Sequence, residues 1–313
     1  MKLDSKTTAF VFPGQGSQSV GMGHDLAAQY PVAKQSFEEA DSVLGFALSK
    51  LMWDGPDAEL NDTINTQPAL YVHSLAAHRT FTHLYPDFKP ALLAGHSLGE
   101  LSALAAAGAL SFADGLRLVR RRGELMKHAG EIAPGSMAAV LNLDIPALEK
   151  VCAEASREGE SVQVANDNCP GQVVISGAKA AVERAMEGAK AAGAKRAIPL
   201  AVSIAAHSQL MASIQSEWNE AVNSASIKDA DIQIIGNVKA NVIQSSADLR
   251  ADIQSQMQSR VRWTESVRGM VGNGVRTFVE VGNGSVLIGL IRRIDSSVTG
   301  LPLGLPKDFE ALP

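Results

Sequence analysis

The sequence predicts an α/β fold in which a large domain with a mostly parallel sheet carries a smaller inserted domain. The chain has 313 residues, of which 46% are hydrophobic and 19% charged, so it can bury a core larger than that of one typical domain. Short apolar runs of β type alternate with helix-forming segments along most of the chain, as in parallel sheets covered by helices. Between about residues 134 and 201 the elements are shorter and richer in glycine, which indicates a separate inserted unit.

The N-terminal third supplies two strands, each followed by a glycine-containing turn. Residues 7–13 are rich in Thr, Val and Phe and run into the glycine-rich segment 14–18, so we expect a buried strand followed by a loop. Residues 91–94 form the second strand candidate. The Ala- and Leu-rich segment 100–110 favours a helix. The order strand, tight turn, helix around residues 95–99 is half of a βαβ unit.

The middle of the chain predicts the small domain. Its strand candidates are residues 162–165, 172–176 and 196–202, with a turn expected over residues 166–171 and a helix over residues 179–192. The order is close to β-α-β-β-α-β, the split βαβ or ferredoxin-like arrangement. We therefore assign residues 134–202 to the small domain, and residues 1–133 and 203–313 to the large one.

Two later strand candidates return to the large sheet. They are residues 232–238 and 276–281, and the second ends at Gly282-Asn283-Gly284 before a helical stretch over residues 286–294. The large sheet therefore receives strands from both ends of the chain, on either side of the insertion.

Charge and composition exclude several classes of function. The chain has 28 basic and 33 acidic residues, a formal net charge of −5, which gives no reason to expect binding to nucleic acid or to an anionic membrane. Residues 1–8 lack an apolar signal core, and the longest apolar-rich run, residues 101–110, is about half the length of a spanning helix. The two cysteines, Cys152 and Cys169, are too few for a disulfide framework and have no metal-ligand spacing. We expect a cytoplasmic protein without a metal site.

Gly95-His96-Ser97-Leu98-Gly99 fits the G-x-S-x-G nucleophile elbow. In such an elbow a sharp strand-to-helix turn exposes the serine hydroxyl, and glycines on both sides allow the close approach of backbone. The backbone N–H of Leu98, at the start of the new helix, would then face negative charge on an acyl oxygen. The alternative is an ordinary strand–helix turn, because the short pattern also arises by chance.

A nucleophilic serine needs a base, and the sequence by itself does not choose one. His207 is the best placed, since it follows a strand-like run over residues 198–204 and two small alanines, where a side chain can reach a cleft at a strand end. Histidines in the helix expected near residues 73–83 are more typical of surface or packing positions. The seven candidates are His24, His73, His78, His83, His96, His128 and His207.

The glycine-rich segment 14–18 is not a phosphate-binding loop. No Lys-Ser or Lys-Thr follows it, and Gly14, Gly16 and Gly21 do not have G-x-G-x-x-G spacing. A loop of free backbone N–H groups facing the elbow could instead supply a second donor to the acyl oxygen, with Gln15 as the candidate.

Arg120-Arg121-Arg122 lies on a helix expected to begin near residue 112. At about 100° per residue the three side chains point in different directions, so one can turn inward while the others are solvated. A buried guanidinium is suited to a substrate carboxylate because its planar fork binds both oxygens. Spacing leaves open which arginine turns inward.

Taken together, these motifs resemble the malonyl-coenzyme A:acyl carrier protein transacylases of bacterial fatty-acid synthesis and the related acyltransferase domains of polyketide synthases. The resemblance runs almost from end to end. The matching segments are Phe10-Val11-Phe12-Pro13-Gly14-Gln15-Gly16-Ser17-Gln18, Thr66-Gln67-Pro68-Ala69-Leu70, residues 95–100, Arg122-Gly123, Pro170-Gly171-Gln172-Val173-Val174, Ala206-His207-Ser208 and Glu280-Val281-Gly282.

The resemblance implies an α/β-hydrolase-like large domain and a specific reaction. Ser97 would be acylated from malonyl-CoA, His207 would be its base, and Arg122 would pair with the malonyl carboxylate. The acyl group would pass to the phosphopantetheine thiol of an acyl carrier protein, with no permanently bound cofactor and with the enzyme as a monomer. The remaining implied roles are backbone donors at Gln15 and Leu98, a pocket lined by Gln67, Met126, Asn166 and Asn168, and a histidine-orienting carbonyl at Gln256.

Two positions depart from the family pattern. Ala206 stands where relatives carry Ser or Phe, which leaves room beside the malonyl methylene for an α-branched unit such as methylmalonyl. Asn283 replaces a proline and should affect the rigidity of its turn. Three other functions stay open: a free-standing polyketide acyltransferase, a serine esterase or thioesterase, and an inactive carrier-binding scaffold. Arg122 and the lack of an obvious triad acid oppose the esterase, and the presence of both Ser97 and His207 opposes the scaffold.

Overall fold

The computed structural model describes residues 3–312, which form two sheets with helices packed around them. Met1 and Lys2, part of the segment judged to lack a signal core, lie outside the described residues, as does Pro313. The strands are β1 (Thr8–Phe12), β2 (Leu92–Gly95), β3 (Gly135–Leu141), β4 (Val162–Cys169), β5 (Gln172–Ala178), β6 (Arg196–Pro199), β7 (Ile234–Ile235), β8 (Val242–Ile243), β9 (Thr277–Val281) and β10 (Thr299–Leu303).

Helices connect most of these strands. The α-helices are α1 (His24–Gln29), α2 (Pro31–Leu44), α3 (Leu48–Asp54), α4 (Asp57–Leu60), α5 (Thr63–Leu84), α6 (Gly99–Ala106), α7 (Phe112–Ile132), α8 (Ile145–Ala155), α9 (Lys179–Ala191), α10 (Gln215–Ser224), α11 (Ser246–Gln256), α12 (Trp263–Gly272), α13 (Val286–Ile294) and α14 (Pro306–Glu310). A 3₁₀ helix, Gln209–Ile214, precedes α10.

The larger sheet has the strand order β10-β9-β1-β2-β7-β8. Neighbouring strands are parallel except for β7 and β8. Every residue of β1 and β2 is buried, which explains why their sequences are apolar throughout rather than alternating. Because these two central strands are parallel, the segments that follow them, residues 13–18 and 96–98, lie at the same edge of the sheet, where α/β proteins place their sites.

The smaller sheet is antiparallel and has the order β4-β5-β3-β6. With α8 and α9 it follows the predicted β-α-β-β-α-β order, and its own apolar cluster, which includes Leu148, Ile175 and Val182, packs between sheet and helices. The predicted fold class, a mostly parallel α/β sheet with a small inserted unit, is confirmed. The domain limits, residues 134–202 and the flanking segments 1–133 and 203–313, remain our proposal.

The turn predicted over residues 166–171 is wrong for its first four residues. β4 continues through Cys169, with irregularities in its pairing to β5 near Asn166 and Asp167. On the other edge of this stretch Val261 donates to the carbonyl of Ala165 at 2.8 Å and accepts from the N–H of Asp167 at 2.9 Å. Backbone pairing on both sides outweighs the low strand propensity of Asn and Asp.

Two predicted strands are shorter than expected. The strand predicted over residues 196–202 ends at Pro199. The N–H of Leu200 still donates to the carbonyl of Met137 at 2.9 Å, but that of Val202 turns back to the carbonyl of Leu200 at 2.8 Å, so the pairing stops there. The strand predicted over residues 232–238 is reduced to β7, and the backbone N–H of Asn237 donates to carboxylate side chains instead.

No helix among residues 3–312 has the length and apolar character needed to cross a bilayer. Over the same range no group of three or more His, Cys, Asp or Glu side chains is arranged to hold a metal ion. Cys152 and Cys169 are both buried and not joined to each other.

The turn between β2 and α6 depends on two glycines, which gives a first prediction. A Cβ on Gly95 would overlap the backbone of Gly99, whereas a Cβ on Gly289, in α13, would meet nothing within 4 Å. We expect Gly95→Ala to lower the free energy of unfolding by about 2–3 kcal/mol or more through overpacking. Gly289→Ala should leave it unchanged or raise it by up to about 1 kcal/mol. Urea unfolding followed by circular dichroism measures both, and equal stabilities for the two variants would contradict the argument.

Candidate active site

Ser97 lies on the sharp turn between β2 and α6, as predicted. Its φ of 52° is in the left-handed region, which costs free energy for a residue with a Cβ. The side chain of Asn237 holds the turn, since its Oδ1 accepts from the N–H of Ser97 at 2.8 Å and its Nδ2 donates to the carbonyl of Gly95 at 2.7 Å. The hydroxyl of Ser97 consequently faces the cavity beyond the sheet edge.

His207 is the histidine that the structure places beside Ser97. Its Nε2 lies 2.7 Å from Ser97 Oγ, and its Nδ1 lies 2.9 Å from the backbone carbonyl of Gln256. Because a carbonyl can only accept, Nδ1 carries the proton and Nε2 is left to accept from the serine. The backbone of His207 also has a positive φ, 59°, so both Ser97 and His207 have strained backbone conformations.

Burial keeps the imidazole of His207 neutral. Only 3% of the residue is exposed, and desolvation, followed by the nearby charge of Arg122, lowers its pKa to about 3. A neutral imidazole with a free Nε2 lone pair is the form that can act as a base.

Arg122 is the inward-turning member of the arginine run. It is 2% exposed, and its Nη2 lies 3.1 Å from Ser97 Oγ and 2.9 Å from Gln256 Oε1, while Nη1 donates to Gln67 Oε1 at 2.8 Å. Arg120 and Arg121 point elsewhere and pair with Glu124 and Glu217 respectively. The structure therefore decides what spacing left open.

The guanidinium of Arg122 has no carboxylate partner among residues 3–312. None of the ion pairs in that range involves it, and its Nε has no hydrogen-bond partner. Burial lowers its pKa to about 10, so it is still charged at neutral pH. A buried cation bound only by neutral groups is costly unless a ligand supplies the negative charge.

A cavity of about 210 Å³ lies between the two sheets, and Ser97, His207 and Arg122 line it. The turns after β1 and β2 contribute polar groups, the small sheet contributes both apolar and amide side chains, and the segment after the small sheet contributes apolar ones. The lining residues are Gln15, Thr63, His96, Ser97, Leu98, Arg122, Met126, Met137, Asn166, Asn168, Val174, Leu200, Val202, Ile204, Ala206 and His207.

Two backbone N–H groups are the predicted donors to the acyl oxygen. Those of Gln15 and Leu98 lie on cavity-lining residues, and neither takes part in the backbone hydrogen bonds found outside helices and strands in the described chain. The loop that carries Gln15 is fastened by Asn283, whose Nδ2 donates to the carbonyl of Ser17 at 2.6 Å and to Ser19 Oγ at 2.9 Å. The departure from proline at position 283 therefore adds hydrogen bonds to this loop.

The four expected pocket residues lie in different places. Met126 and Asn166 line the cavity. Asn168 also lines it, and its Oδ1 lies 2.8 Å from the Nε2 of His96. Gln67 is not among the lining residues but packs behind them. Its Nε2 donates to Thr63 Oγ1 at 2.9 Å, and its Oε1 accepts from Arg122 Nη1.

Sequence reasoning assigned no role to Asn237, Glu100 or Thr63, although all three contact the site. Asn237 lies near the end of a predicted strand, and Glu100 directly follows the elbow motif. In both cases the only signal in the sequence is a polar residue beside an apolar run. The contacts of Asn237 with Ser97 and with Glu100 span more than 130 positions of the chain, which local patterns do not reveal.

Comparison with known proteins agrees with this geometry. The family model described as acyl transferase domain matches residues 9–300. A malonyl CoA-acyl carrier protein transacylase of Bacillus subtilis is 46% identical over 304 residues, 96% of this chain and 95% of that protein.

Two solved structures are also similar. An acyl carrier protein S-malonyltransferase from Vibrio cholerae superposes with a TM-score of 0.95 at 43% identity, covering 98% of this chain and 100% of that one. A malonyl-transacylase solved in complex with a type II PKS acyl-carrier protein gives a TM-score of 0.93 at 40% identity, covering 97% and 98%. The chain belongs to the acyl transferase family and, within it, to the malonyl CoA-acyl carrier protein transacylases.

Proposed function

We propose that this protein transfers a malonyl group from malonyl-CoA to the phosphopantetheine thiol of an acyl carrier protein, through an ester on Ser97. The observation that carries the proposal concerns the guanidinium of Arg122. It is buried, it lies 3.1 Å from the hydroxyl oxygen of Ser97, and it has no carboxylate partner in the described chain. A malonyl thioester has a free carboxylate two bonds from its reactive carbonyl carbon. Bound to Arg122, this carboxylate would compensate the charge and hold the carbonyl beside Ser97.

In the first half-reaction Ser97 Oγ attacks the thioester carbonyl while Nε2 of His207 takes its proton. The negative charge that forms on the carbonyl oxygen is stabilised by the backbone N–H groups of Gln15 and Leu98, each such donor being worth about 10²–10³ in rate. The C–S bond then breaks, and the imidazolium returns the proton to the sulfur of coenzyme A. The malonyl ester on Ser97 and free coenzyme A are the products.

In the second half-reaction the thiol of the carrier's phosphopantetheine arm enters the same cavity. His207 accepts the thiol proton, the sulfur attacks the ester carbonyl, and the serine leaves with the proton from His207. One histidine thus serves both steps, oriented by the carbonyl of Gln256 in place of a carboxylate. The apolar walls that the small sheet contributes limit the access of water.

The same chemistry suits carriers of either fatty-acid or polyketide assembly. Fatty-acid synthesis is the first proposal, because the relatives at 40–46% identity carry the transacylase name. The complex of a similar malonyl-transacylase with a type II PKS acyl-carrier protein supports a free-standing polyketide acyltransferase as the second. Relative kcat/KM for the two kinds of carrier separates them.

Three further features belong to the proposal. All proposed site residues come from one chain, which suits a monomer. The two free cysteines suit a reducing cytoplasm. Ala206 lines the cavity beside His207. Its small side chain leaves space for a methyl group on the α-carbon of the malonyl unit, so the proposed specificity includes methylmalonyl. No permanently bound cofactor has a role in the proposed steps.

The covalent step predicts a specific adduct. After mixing with malonyl-CoA, the wild-type chain should gain one malonyl group that peptide mass spectrometry assigns to Ser97, and Ser97→Ala should gain none because no nucleophile remains. An adduct at another residue, or an unmodified wild-type protein, would show that the proposed mechanism is wrong.

Arg122→Ala should remove the preference for a carboxylated acyl group. Hydrogen bonds to charged groups contribute about 1.5–3 kcal/mol each, so loss of a two-bond contact should lower kcat/KM for malonyl-CoA by about 100-fold or more. Acetyl transfer, which makes no such contact, should change much less. Arg121→Ala, which removes an exposed ion pair with Glu217, is the matched control and should leave both rates near the wild-type values. Equal losses for malonyl and acetyl in Arg122→Ala would contradict the role of Arg122.

The pH dependence should reflect the lowered pKa of His207. A histidine whose pKa is lowered stays neutral to lower pH, so the base is lost only as pH falls towards about 3, and not around its ordinary value near 6.5. We expect kcat/KM for malonyl-CoA, which reports the free enzyme, to stay level from about pH 8 to about pH 5. Stopped-flow acylation, with circular dichroism at each pH to check that the protein is folded, measures it. A fall centred near pH 6.5 would contradict the assignment.

A further inference from the structure

Gln256 makes hydrogen bonds to all three of His207, Arg122 and Ser97. Its carbonyl receives His207, and its side-chain Oε1 accepts from Arg122 Nη2 at 2.9 Å. A guanidinium can only donate, so the amide oxygen must face it and the amide nitrogen must find acceptors elsewhere. It finds them in the carbonyl of Ser97, at 2.9 Å, and in the Oε2 of Glu100.

Asn237, which holds the elbow on its other side, also depends on Glu100. Its side chain spans Gly95 and Ser97, and its backbone N–H donates to Glu100 Oε1 at 3.3 Å and to Asp252 Oδ2 at 3.1 Å. Glu100 thus contacts both of the residues that hold the strained Ser97 turn.

Glu100 and Asp252 are a buried carboxyl pair. Glu100 is fully buried and Asp252 is 8% exposed, and both carboxyl groups accept from the same backbone N–H, that of Asn237. Burial, followed by the neighbouring Asp252, raises the pKa of Glu100 well above its usual range, and burial raises the pKa of Asp252 as well. The larger effect at Glu100 favours its protonated form and leaves the negative charge on Asp252. The charged groups facing the pair are Arg122, towards Glu100, and Lys239, towards Asp252.

We propose that Glu100 is a positioning residue of the transfer reaction, which acts with Asp252 as a buried carboxyl pair to hold Gln256 and Asn237 against the Ser97 elbow. Through Gln256 the pair also fixes the acceptor of His207 and one partner of Arg122. The inference rests on the proposed malonyl transfer and extends it to a residue that does not touch the substrate.

The protonated state of Glu100 has a second consequence. An ionised Glu100 would be a buried negative charge near Arg122 and would compete with the substrate carboxylate for its guanidinium. A neutral carboxyl supplies the same hydrogen bonds without that competition. The pair therefore keeps Arg122 both oriented and available.

Matched substitutions separate hydrogen bonding from packing. Glu100→Gln keeps a neutral side chain whose amide oxygen can accept from Gln256 Nε2, while the N–H of Asn237 keeps Asp252 Oδ2 as its acceptor. Glu100→Met fills a similar volume without a donor or a strong acceptor. In single-turnover acylation by malonyl-CoA, followed by mass spectrometry at Ser97, we expect Glu100→Gln to stay within about threefold of wild type. Glu100→Met should be about 10- to 100-fold slower, because small displacements of reacting groups cost this much. Thermal unfolding establishes that each variant is folded.

Substitutions of Asp252, which is slightly more exposed than Glu100, provide a second pair of variants. Asp252→Asn retains hydrogen-bonding groups and should be acylated near the wild-type rate. Asp252→Ala loses them and should be acylated more slowly, as expected for Glu100→Met. The Asp252 variants therefore test the proposal even if Glu100→Met fails to fold. If the folded Met and Ala variants acylate as fast as their amide counterparts, the positioning role is overturned. If the wild-type chain itself is not acylated by malonyl-CoA, the proposed function fails instead, so the two failures are distinguishable.

Discussion

The burial of one positive charge at Arg122 is the constraint on which the site depends. A guanidinium withdrawn from water is unfavourable unless its donors are satisfied, and here the acceptors are the neutral amide oxygens of Gln67 and Gln256 and the hydroxyl of Ser97. These groups orient the cation without cancelling its charge. The neighbouring titratable groups do not cancel it either, since burial lowers the pKa of His207 to about 3 and raises the pKa of Glu100 well above its usual range, which favours the neutral form of both. A substrate carboxylate would therefore supply the missing negative charge.

The same region concentrates backbone strain. Ser97 and His207 both have positive φ, and such conformations persist only where surrounding contacts over-determine them. Asn237 and Gln256 supply those contacts from two segments that lie far from the elbow in sequence. Both side chains need hydrogen bonds of defined direction, and this explains why amides rather than apolar residues occupy positions 237 and 256.

The two sheets divide the work of the site. The parallel sheet brings the turns after β1 and β2 together at one edge, so Gln15 and Leu98 both line the cavity. The antiparallel sheet adds β4, whose irregular pairing points Asn166 and Asn168 into the cavity. Backbone pairing between β4 and residue 261 of the large domain connects the two parts of the molecule that line the cavity.

The sequence by itself determined the fold class, the elbow at Ser97 and the order of the small domain, because these follow from local periodicity, glycine spacing and short-range propensity. Resemblance to a family then supplied His207, Arg122 and Gln256, which periodicity left among seven histidines and three arginines. Only the tertiary structure decided which polar groups meet: Asn237 on the elbow, Glu100 with Asp252, Gln67 behind Arg122, and strand rather than turn at Asn166. Hydrogen-bond partners far apart in the chain are chosen by packing, and local sequence carries no record of that choice.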